Sequence, residues 1–232
     1  MTGIIDNFVA PVCKAHIDIL YQDEHVMLIN KPSGLLSLSG KNPLNKDSVH
    51  FRLKKDFDTA TLLHRLDLGT SGIMLVALSK TVNAHLTKQF QARTVKKTYI
   101  SLLFGHLSRE SGKIEQPIAK DPMLFPRLKV CEQHGKPALT EYTVLARRQD
   151  PVSTLVRFTP ITGRTHQLRI HSQCINHPIL GCDLYGTEDS QKAANRLMLH
   201  AETIDFDHPI TGERIHGVCP APFVSASDEY SG

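Results

Sequence analysis

The sequence of 232 residues lacks the features of a membrane or exported protein. No apolar run approaches the roughly 20 residues that a membrane helix needs. The opening segment, MTGIIDNFVAPVCKAHIDIL, has neither a basic start nor a continuous apolar core, so it is not typical of a signal peptide. The five cysteines are scattered and form no C-x-x-C pair, which argues for reduced thiols rather than a disulfide framework. We therefore expect a cytoplasmic protein with no membrane contact.

The sequence also lacks the signatures of bound nucleotides and metals. It contains neither G-x-G-x-x-G nor a Walker A motif, and no G-x-S-x-G elbow of a serine nucleophile. Its 13 histidines include no H-E-x-x-H and no Cys/His pair with ligand spacing. We therefore expect neither a cofactor nor a metal site.

Charge of either sign is not in large excess, since the formal net charge is only +4. Such a balance allows a polyanionic partner without requiring one. The distribution is less even: the segment 88–97, KQFQARTVKK, carries four positive charges and no acid, and arginines recur from 147 to 169. A solvated charged face and a nucleic-acid surface are both compatible with this pattern.

Strand patterns outnumber helix patterns along the chain. HVMLIN (25–30) and GIMLVAL (72–78) predict buried strands, and further β-type runs follow in the second half. Ser48 is expected to cap one helix, and a second helix is predicted over 81–92. Helical spacing also occurs over 163–176, and 201–220 predicts a hairpin with its turn at 208–212. Consecutive strands without regular helix alternation indicate the α+β class, with a mixed or mainly antiparallel sheet.

One acidic residue interrupts an apolar stretch, LLHRLDLGTSGIMLVAL (62–78). Asp67 lies there between two apolar runs, close to His64 and Arg65. A buried carboxylate requires a cation or several hydrogen-bond donors, and pairing would keep it ionised. An anionic carboxylate on a turn can act as nucleophile, general base or metal ligand, and the alternative is a residue that merely caps the turn.

Candidate partners for this carboxylate lie in TPITGRTHQLRIH (159–171). Arg164 and Arg169 each suit a bidentate grip on a carboxylate or a phosphate, and His166 lies between them. The alternative is a basic helix start that faces water. In KKTYI, Tyr99 follows Lys96 and Lys97, where a half-buried strand residue and a stacking surface for a base are both compatible with the pattern.

Several motifs together resemble the RluA-type RNA pseudouridine synthases. HRLDLGTSG (64–72) is similar to the H-R-L-D-x-x-T-S-G signature of that family, NKPSGLL (30–36) to its first motif and TGRTHQLRIH (162–171) to its third. KKTYI matches the segment that holds the active-site tyrosine, and HPILGCDLYG (177–186) and LMLHAETIDFDHP (197–209) follow in the same order. The resemblance extends over nearly the whole chain.

The resemblance implies a fold and a domain organisation. The expected fold is the pseudouridine synthase fold, a long, bent, mainly antiparallel mixed sheet flanked by helices and loops around a central cleft. A catalytic domain is expected over 17–223, with tails at 1–16 and 224–232. Only 30 residues precede Lys31, too few for the S4-type RNA-binding domain of many relatives. A monomer is expected.

The resemblance also implies an isomerase that converts uridine to pseudouridine in RNA without cofactor or metal. Asp67 would be the catalytic carboxylate, Arg164 its ion-pair partner, and Tyr99 the residue that stacks on the base and helps remove the proton from carbon 5. Arg65 would enter the gap that the flipped nucleotide leaves, at which a guanidinium plane stacks better than an ammonium. The other expected RNA contacts are His64, Lys31, Lys96, Lys97, Arg169 and His166.

The expected RNA partners follow from the compact relatives without an S4-type domain. Those relatives include the dual-specificity enzymes for the tRNA anticodon stem-loop and a 23S rRNA hairpin, so we expect one or both RNAs to be substrates. Two other functions stay open. One is a non-catalytic RNA-binding protein or RNA chaperone with the same fold. The other is a glycosidic hydrolase, although such enzymes generally use two acids and the motif around Asp67 contains no second one.

Overall fold

The computed structural model describes residues 8–124, 126–225 and 228 of the chain. Its strands are β1 (Asp18–Gln22), β2 (Val26–Lys31), β3 (Thr61–Leu62), β4 (Ser71–Ala77), β5 (Lys96–Phe104), β6 (Ser111–Ile114), β7 (Ile118–Lys120), β8 (Leu128–Val130), β9 (Thr140–Gln149), β10 (Val152–Pro160), β11 (Leu199–Asp207) and β12 (Arg214–Val218). Its helices are α1 (Val49–Leu53), α2 (Lys80–Ala92), α3 (Gln167–Cys174) and α4 (Glu188–Lys192). This content confirms the predicted α+β class.

The chain divides into two compact units. The first unit comprises residues 1–96 and 203–219, and the second comprises 97–202 and 220–232. Strand β11 contributes residues 199–202 to the second unit and 203–207 to the first. The boundaries of a catalytic domain at 17 and 223 remain a prediction.

In the first unit the strand order is β1-β2-β4-β11, with β3 on β4 and β12 on β11. Strands β1 and β2, β2 and β4, β3 and β4, and β11 and β12 pair antiparallel. Strands β2 and β4 are interior strands of this order, and their side chains are buried on both faces of the sheet: residues 26–29 and 73–77 are each at most 2% exposed. Burial on both faces explains why these strands are apolar without alternation.

Serine caps begin the two helices that the sequence predicted in this unit. The Oγ of Ser48 accepts a hydrogen bond from the backbone N–H of Phe51 at 3.1 Å and starts α1. The Oγ of Ser79 accepts one from Val82 N–H at 3.2 Å and starts α2. Each cap satisfies one of the backbone donors that a helix start leaves without a partner inside the helix. Both predicted helices are confirmed, and α2 begins one residue before the predicted start.

Residues 8–16, which the sequence placed in a tail, are tied to the first unit. The side chain of Asn45 donates to the carbonyl of Phe8 at 2.8 Å and accepts from the N–H of Ala10 at 2.7 Å. The guanidinium of Arg52 donates to the carbonyls of Cys13 and Ala15. These hydrogen bonds involve backbone atoms of the segment, so they do not depend on which side chains it carries.

In the second unit the strand order is β11-β5-β10-β9-β6, and β7 pairs with β8 in a separate two-stranded sheet. Strands β5 and β10, β10 and β9, and β9 and β6 pair antiparallel, as do β7 and β8. One hydrophobic cluster in the core of this unit consists of Ile100, Leu102, Leu155, Leu180 and Ala221. The sheet is thus mainly antiparallel, as predicted. None of the helices in the described part of the chain is both long and apolar enough to cross a membrane.

Candidate active site

Asp67 lies on a loop between β3 and β4 of the first unit. The loop alternates between solvent and interior: Arg65 is exposed, Leu66 is 5% exposed and Asp67 is partly buried. The backbone N–H of Thr70 donates to the carbonyl of Asp67 at 3.1 Å and closes a turn ahead of β4. The carboxylate is therefore presented by a turn that leads directly into a fully buried strand.

The backbone on either side of Asp67 is held by the segment 31–37. Ser37 Oγ donates to the carbonyl of Leu66 at 2.7 Å and accepts from its N–H at 3.1 Å. The carbonyl of Leu68 accepts from the N–H of Gly34 at 2.8 Å and from Lys31 Nζ at 3.2 Å. These bonds fix the loop without using the Asp67 side chain.

The same segment reaches one residue further along the loop. Ser33 Oγ donates to the carbonyl of Gly69 at 2.7 Å. Gly34 has a φ of +83°, a conformation that glycine adopts without the steric cost of a Cβ. Sequence reasoning assigned no function to Ser33 or Ser37, although both fall in or beside the stretch that resembles the first family motif.

Lys31 is buried, which corrects the RNA contact that the sequence predicted for it. The residue is 0% exposed. Its ammonium donates to the carbonyls of Pro32, Leu35 and Leu68 at 2.9, 2.6 and 3.2 Å. A buried ammonium is tolerated only where oxygen acceptors replace its lost water, and these three carbonyls do so. Lys31 thus acts on the loop that carries Asp67.

His64, another predicted RNA contact, also takes part in the packing of the loop. Its Nε2 accepts the backbone N–H of Leu75 at 3.1 Å. Its ring lies 5.5 Å from that of Phe90 in α2, at a tilt of 31°. The imidazole is half-buried, and these contacts join the start of the loop to β4 and α2. An RNA contact by His64 remains a prediction.

Tyr99 lies on β5 of the second unit, opposite Phe158 of β10, and is 8% exposed. Lys96, at the start of the strand, is exposed, whereas Lys97 is half-buried. Burial lowers the pKa of the Lys97 ammonium from its ordinary value, because the charged form loses water. The two neighbouring lysines are therefore not equivalent as contacts for a phosphate.

Arg164 lies on the turn between β10 and α3, also in the second unit. Its backbone N–H donates to the Oε1 of Gln167 at 3.0 Å, and its side-chain Nε donates to the carbonyl of Pro137 at 3.0 Å. The guanidinium is partly buried and is held at one end by this carbonyl. Arg164 and Asp67 belong to different units, and the ion pair between them remains a prediction.

The other predicted cations of this turn surround Tyr185, a residue that sequence reasoning did not single out. The Tyr185 hydroxyl lies 2.8 Å from His166 Nδ1 and accepts the N–H of Leu128 at 2.9 Å. The guanidinium of Arg169 lies 5.3 Å from the centre of the Tyr185 ring. Arg169 is 5% exposed and pairs with Asp183, and an RNA contact by it remains a prediction. An RNA contact by the half-buried His166 remains a prediction.

The structure brings the predicted site residues together in two sets. Lys31, His64, Arg65 and Asp67 lie in the first unit, around one loop. The second unit contains Lys97 and Tyr99 on β5, Arg164 and His166 on the turn before α3, and Arg169 in α3. Lys96, the first residue of β5, is the last residue of segment 1–96 of the first unit. The sequence motifs identified the residues of both sets. Their burial in the structure then distinguishes the residues that support a loop from those that face solvent.

Comparison with known protein families identifies a match over most of the chain. The family model described as RNA pseudouridylate synthase matches residues 25–173. The dual-specificity RNA pseudouridine synthase RluA of Yersinia pestis is 48% identical over 205 residues, which are 88% of this chain and 99% of that protein. The enzyme of the same name from Escherichia coli strain K12 is 44% identical over 205 residues, covering 88% of this chain and 93% of that protein.

Two solved human structures share the fold. RNA Pseudouridylate Synthase Domain Containing 1 superposes with a TM-score of 0.78 at 27% identity, covering 92% of this chain and 87% of that one. RNA Pseudouridylate Synthase Domain Containing 4 superposes with a TM-score of 0.71 at 27% identity, covering 88% of each chain. These neighbours confirm the predicted fold.

Proposed function

The chain belongs to the RNA pseudouridylate synthase family, and from that membership we propose that it isomerises uridine to pseudouridine in two RNAs. The proposed substrates are the tRNA anticodon stem-loop and a 23S rRNA hairpin, and the proposed site of action is the cytoplasm. Similarity to enzymes named dual-specificity, over 99% of the Yersinia pestis protein, supports two substrates rather than one. The reaction is an isomerisation and is proposed to need no cofactor.

The observation that carries the proposal is the held loop around Asp67. The carbonyls of Leu66, Leu68 and Gly69 and the N–H of Leu66 all bond to side chains or backbone of the segment 31–37. A nucleophile gains most when it is fixed in its reactive geometry before the substrate arrives.

In the proposed reaction Asp67 is the nucleophile. Its carboxylate attacks carbon 6 of uracil or the anomeric carbon of the ribose, and the bond between the base nitrogen and the sugar breaks. The base rotates and rejoins the sugar through carbon 5, the proton on carbon 5 is lost to solvent, and the bond to Asp67 breaks, which regenerates the carboxylate. The base nitrogen that left the sugar takes up a proton from solvent, so the product is an isomer of the substrate. Tyr99 stacks on the base and assists removal of the proton from carbon 5, and Arg164 pairs with Asp67 and keeps it anionic.

Access to the uridine requires that it leave the RNA stack, at a cost of a few kcal/mol. The guanidinium of Arg65, an exposed residue two positions before Asp67, is proposed to occupy the vacated position. Exposed Lys96 is proposed to contact phosphates.

The test is tritium release from RNA labelled at carbon 5 of uridine. Unmodified tRNA and 23S rRNA transcripts are assayed separately, with a chelator present and no cofactor. We expect release from both RNAs with the wild type, none with Asp67→Asn, and unchanged release with Asp58→Asn. Asp58 is exposed, which makes it a matched control for the loss of one carboxylate.

The outcomes separate the alternatives. Release from one transcript alone would reduce the proposal to a single RNA substrate. Tight RNA binding without release from either transcript would contradict the enzyme and favour the non-catalytic RNA-binding protein. Equal release by Asp67→Asn and wild type would contradict the assigned nucleophile.

A further inference from the structure

Gln167, the first residue of α3, is a buried polar residue that the mechanism above does not use. It is 3% exposed. Its Oε1 accepts from Thr162 Oγ1 at 2.7 Å and from the N–H of Arg164 at 3.0 Å. Its Nε2 donates to the carbonyl of Leu139 at 3.0 Å and to Thr140 Oγ1 at 2.9 Å. The amide thus makes four hydrogen bonds, which is its full capacity.

The donor and the acceptor of each hydrogen bond in this network follow from the two groups that it joins. Because Thr140 Oγ1 accepts from Gln167, its hydroxyl hydrogen is available to donate to Nδ1 of His171, 2.9 Å away. The Nε2 of His171 lies 3.0 Å from the carbonyl of Gln116, which can only accept, so Nε2 carries the hydrogen. Burial lowers the pKa of the His171 ring from its ordinary value, which favours the neutral form in which Nδ1 accepts from Thr140.

The network leaves the Gln167 amide only one orientation. Exchanging its oxygen and nitrogen would place an N–H against the N–H of Arg164, and a carbonyl oxygen against the carbonyl of Leu139. A buried network with every member satisfied is rigid, because any rearrangement leaves a polar group without a partner.

The residue whose position this rigid network fixes is Arg164. Its backbone N–H bonds to Gln167, and its Nε bonds to Pro137. The carbonyl of Leu139, two residues after Pro137, accepts from both Gln167 and the N–H of Ile161. One glutamine therefore ties together the backbone that carries Arg164 and the segment that orients its guanidinium.

We propose that Gln167 is a positioning residue for pseudouridine formation, which acts by fixing the place and the direction of the Arg164 guanidinium. The inference rests on the proposed function, in which Arg164 holds the catalytic carboxylate. Gln167 itself touches neither substrate nor the reacting atoms in this assignment. A shift of about 1 Å in such a partner can slow a reaction on the order of 100-fold.

The test compares Gln167→Met with Gln89→Met. Methionine keeps the length and approximate volume of glutamine but removes its hydrogen bonds. Gln89 is a matched control in the first unit: it is 8% exposed, and its amide donates to the carbonyl of Asp207 at 2.7 Å and accepts from the N–H of the same residue at 2.9 Å. Both variants are expected to lower the melting temperature.

The expected result is a split between kcat and KM. Gln167→Met should lower kcat for tritium release on the order of 10- to 100-fold, with KM and the RNA Kd within about twofold of wild type. Gln89→Met should keep kcat within about twofold. An unchanged kcat in Gln167→Met, or an equal loss of kcat in Gln89→Met, would overturn the inference.

A second variant, Gln167→Glu, tests the hydrogen bonds without a change of shape. An ionised carboxylate cannot donate to Leu139 or Thr140, but a protonated one restores one of the two bonds. Burial beside acceptors favours protonation, so the kcat of this variant relative to wild type should rise as the pH falls. A flat ratio would contradict the inference. Absence of release by the wild type would instead contradict the proposed function, so the two failures are distinguishable.

Discussion

Substitutions of Arg65 can separate the contribution of its positive charge from that of its planar guanidinium. Arg65 is exposed, whereas its neighbour Leu66 is buried and fixes the backbone through Ser37. If the guanidinium stacks in the vacated position of the RNA, Arg65→Ala should weaken the stabilisation of the flipped state by about 1–2 kcal/mol. The reaction should then be about 5- to 30-fold slower. Single-turnover rates with tRNA and rRNA transcripts measure this loss.

Arg65→Lys is the matched control for that measurement. Lysine keeps the positive charge but has no planar group to stack, so its rate should lie close to that of Arg65→Ala. A lysine variant as fast as wild type would show that charge alone is required, and would contradict the stacking role.

Individual cations in this chain differ in role although their residue types are the same. Lys31 and Lys96 both lie in motifs that resemble those of a nucleic-acid enzyme, yet one is buried among carbonyls and the other is exposed. A lysine in a motif predicts a contact but does not identify the partner. The carbonyls of Pro32 and Leu35 that accept from Lys31 are close to it in sequence, whereas that of Leu68 is brought to it by the fold.

Elements with strong local patterns agreed with the sequence, and short or exposed ones did not. The buried strands β2 and β4 and the helices α1 and α2 were predicted because apolar runs, apolar residues spaced by four and the Ser48 cap are local features. Strand β1 was missed: all five of its residues are exposed, so burial imposes no alternation on it. Helix α1, which Ser48 was expected to cap, is short and ends at Leu53.

At the C-terminal end, one ion pair fastens the segment that the sequence placed in a tail. Asp228 accepts from the guanidinium of Arg148 and from the N–H of Ser225 at 2.7 Å. Arg148 also donates to the carbonyl of Phe223 at 2.9 Å. Hydrogen bonds from Arg148 lower the pKa of Asp228 from 3.8 to about 2. The charged form is thus the one that the fold favours.

We expect Asp228→Asn to lower the free energy of unfolding by about 1–3 kcal/mol at neutral pH, because it removes a charged acceptor from a guanidinium. A pKa lowered in the folded state gives stability that is present above about pH 3.8 and is lost as the pH falls through about 2. The difference in the free energy of unfolding between Asp228→Asn and wild type should therefore become smaller in acid. Urea denaturation at neutral pH and in acid measures it.

Asp58→Asn serves as the control for this experiment, since Asp58 is exposed. It should change the free energy of unfolding by less than about 0.5 kcal/mol at either pH. A difference between Asp228→Asn and wild type that did not change with pH would contradict the role of the ionised carboxylate.

For the whole molecule, RNA binding is expected to depend on salt, because a nearly balanced chain must use local basic surface to bind phosphates. Each phosphate contact with a single strand contributes a slope of about 0.7 to the fall of log K with log salt. Lys96→Gln should therefore weaken binding of both RNAs and reduce the slope by about 0.7. Filter binding over a series of salt concentrations measures the slope.

Lys97→Gln is the neighbouring control. Lys97 is half-buried, so its ammonium is less accessible to the RNA than that of exposed Lys96. Lys97→Gln should therefore change the slope of log K against log salt by less than Lys96→Gln does. A larger effect from Lys97 than from Lys96 would contradict the assignment of exposed Lys96 as the phosphate contact.

By itself the sequence determined the fold class, the family and the residues of the two motifs around Asp67 and Arg164. It could do so because these features are local: each motif is contiguous, and buried strands and capped helices follow from neighbouring residues. Only the tertiary structure decided which cations support the backbone and which face solvent, and that Ser37 and Gln167 hold the two site segments. The reason is physical. Burial and hydrogen-bond partners depend on residues distant in sequence, and the energy of a charge depends on both.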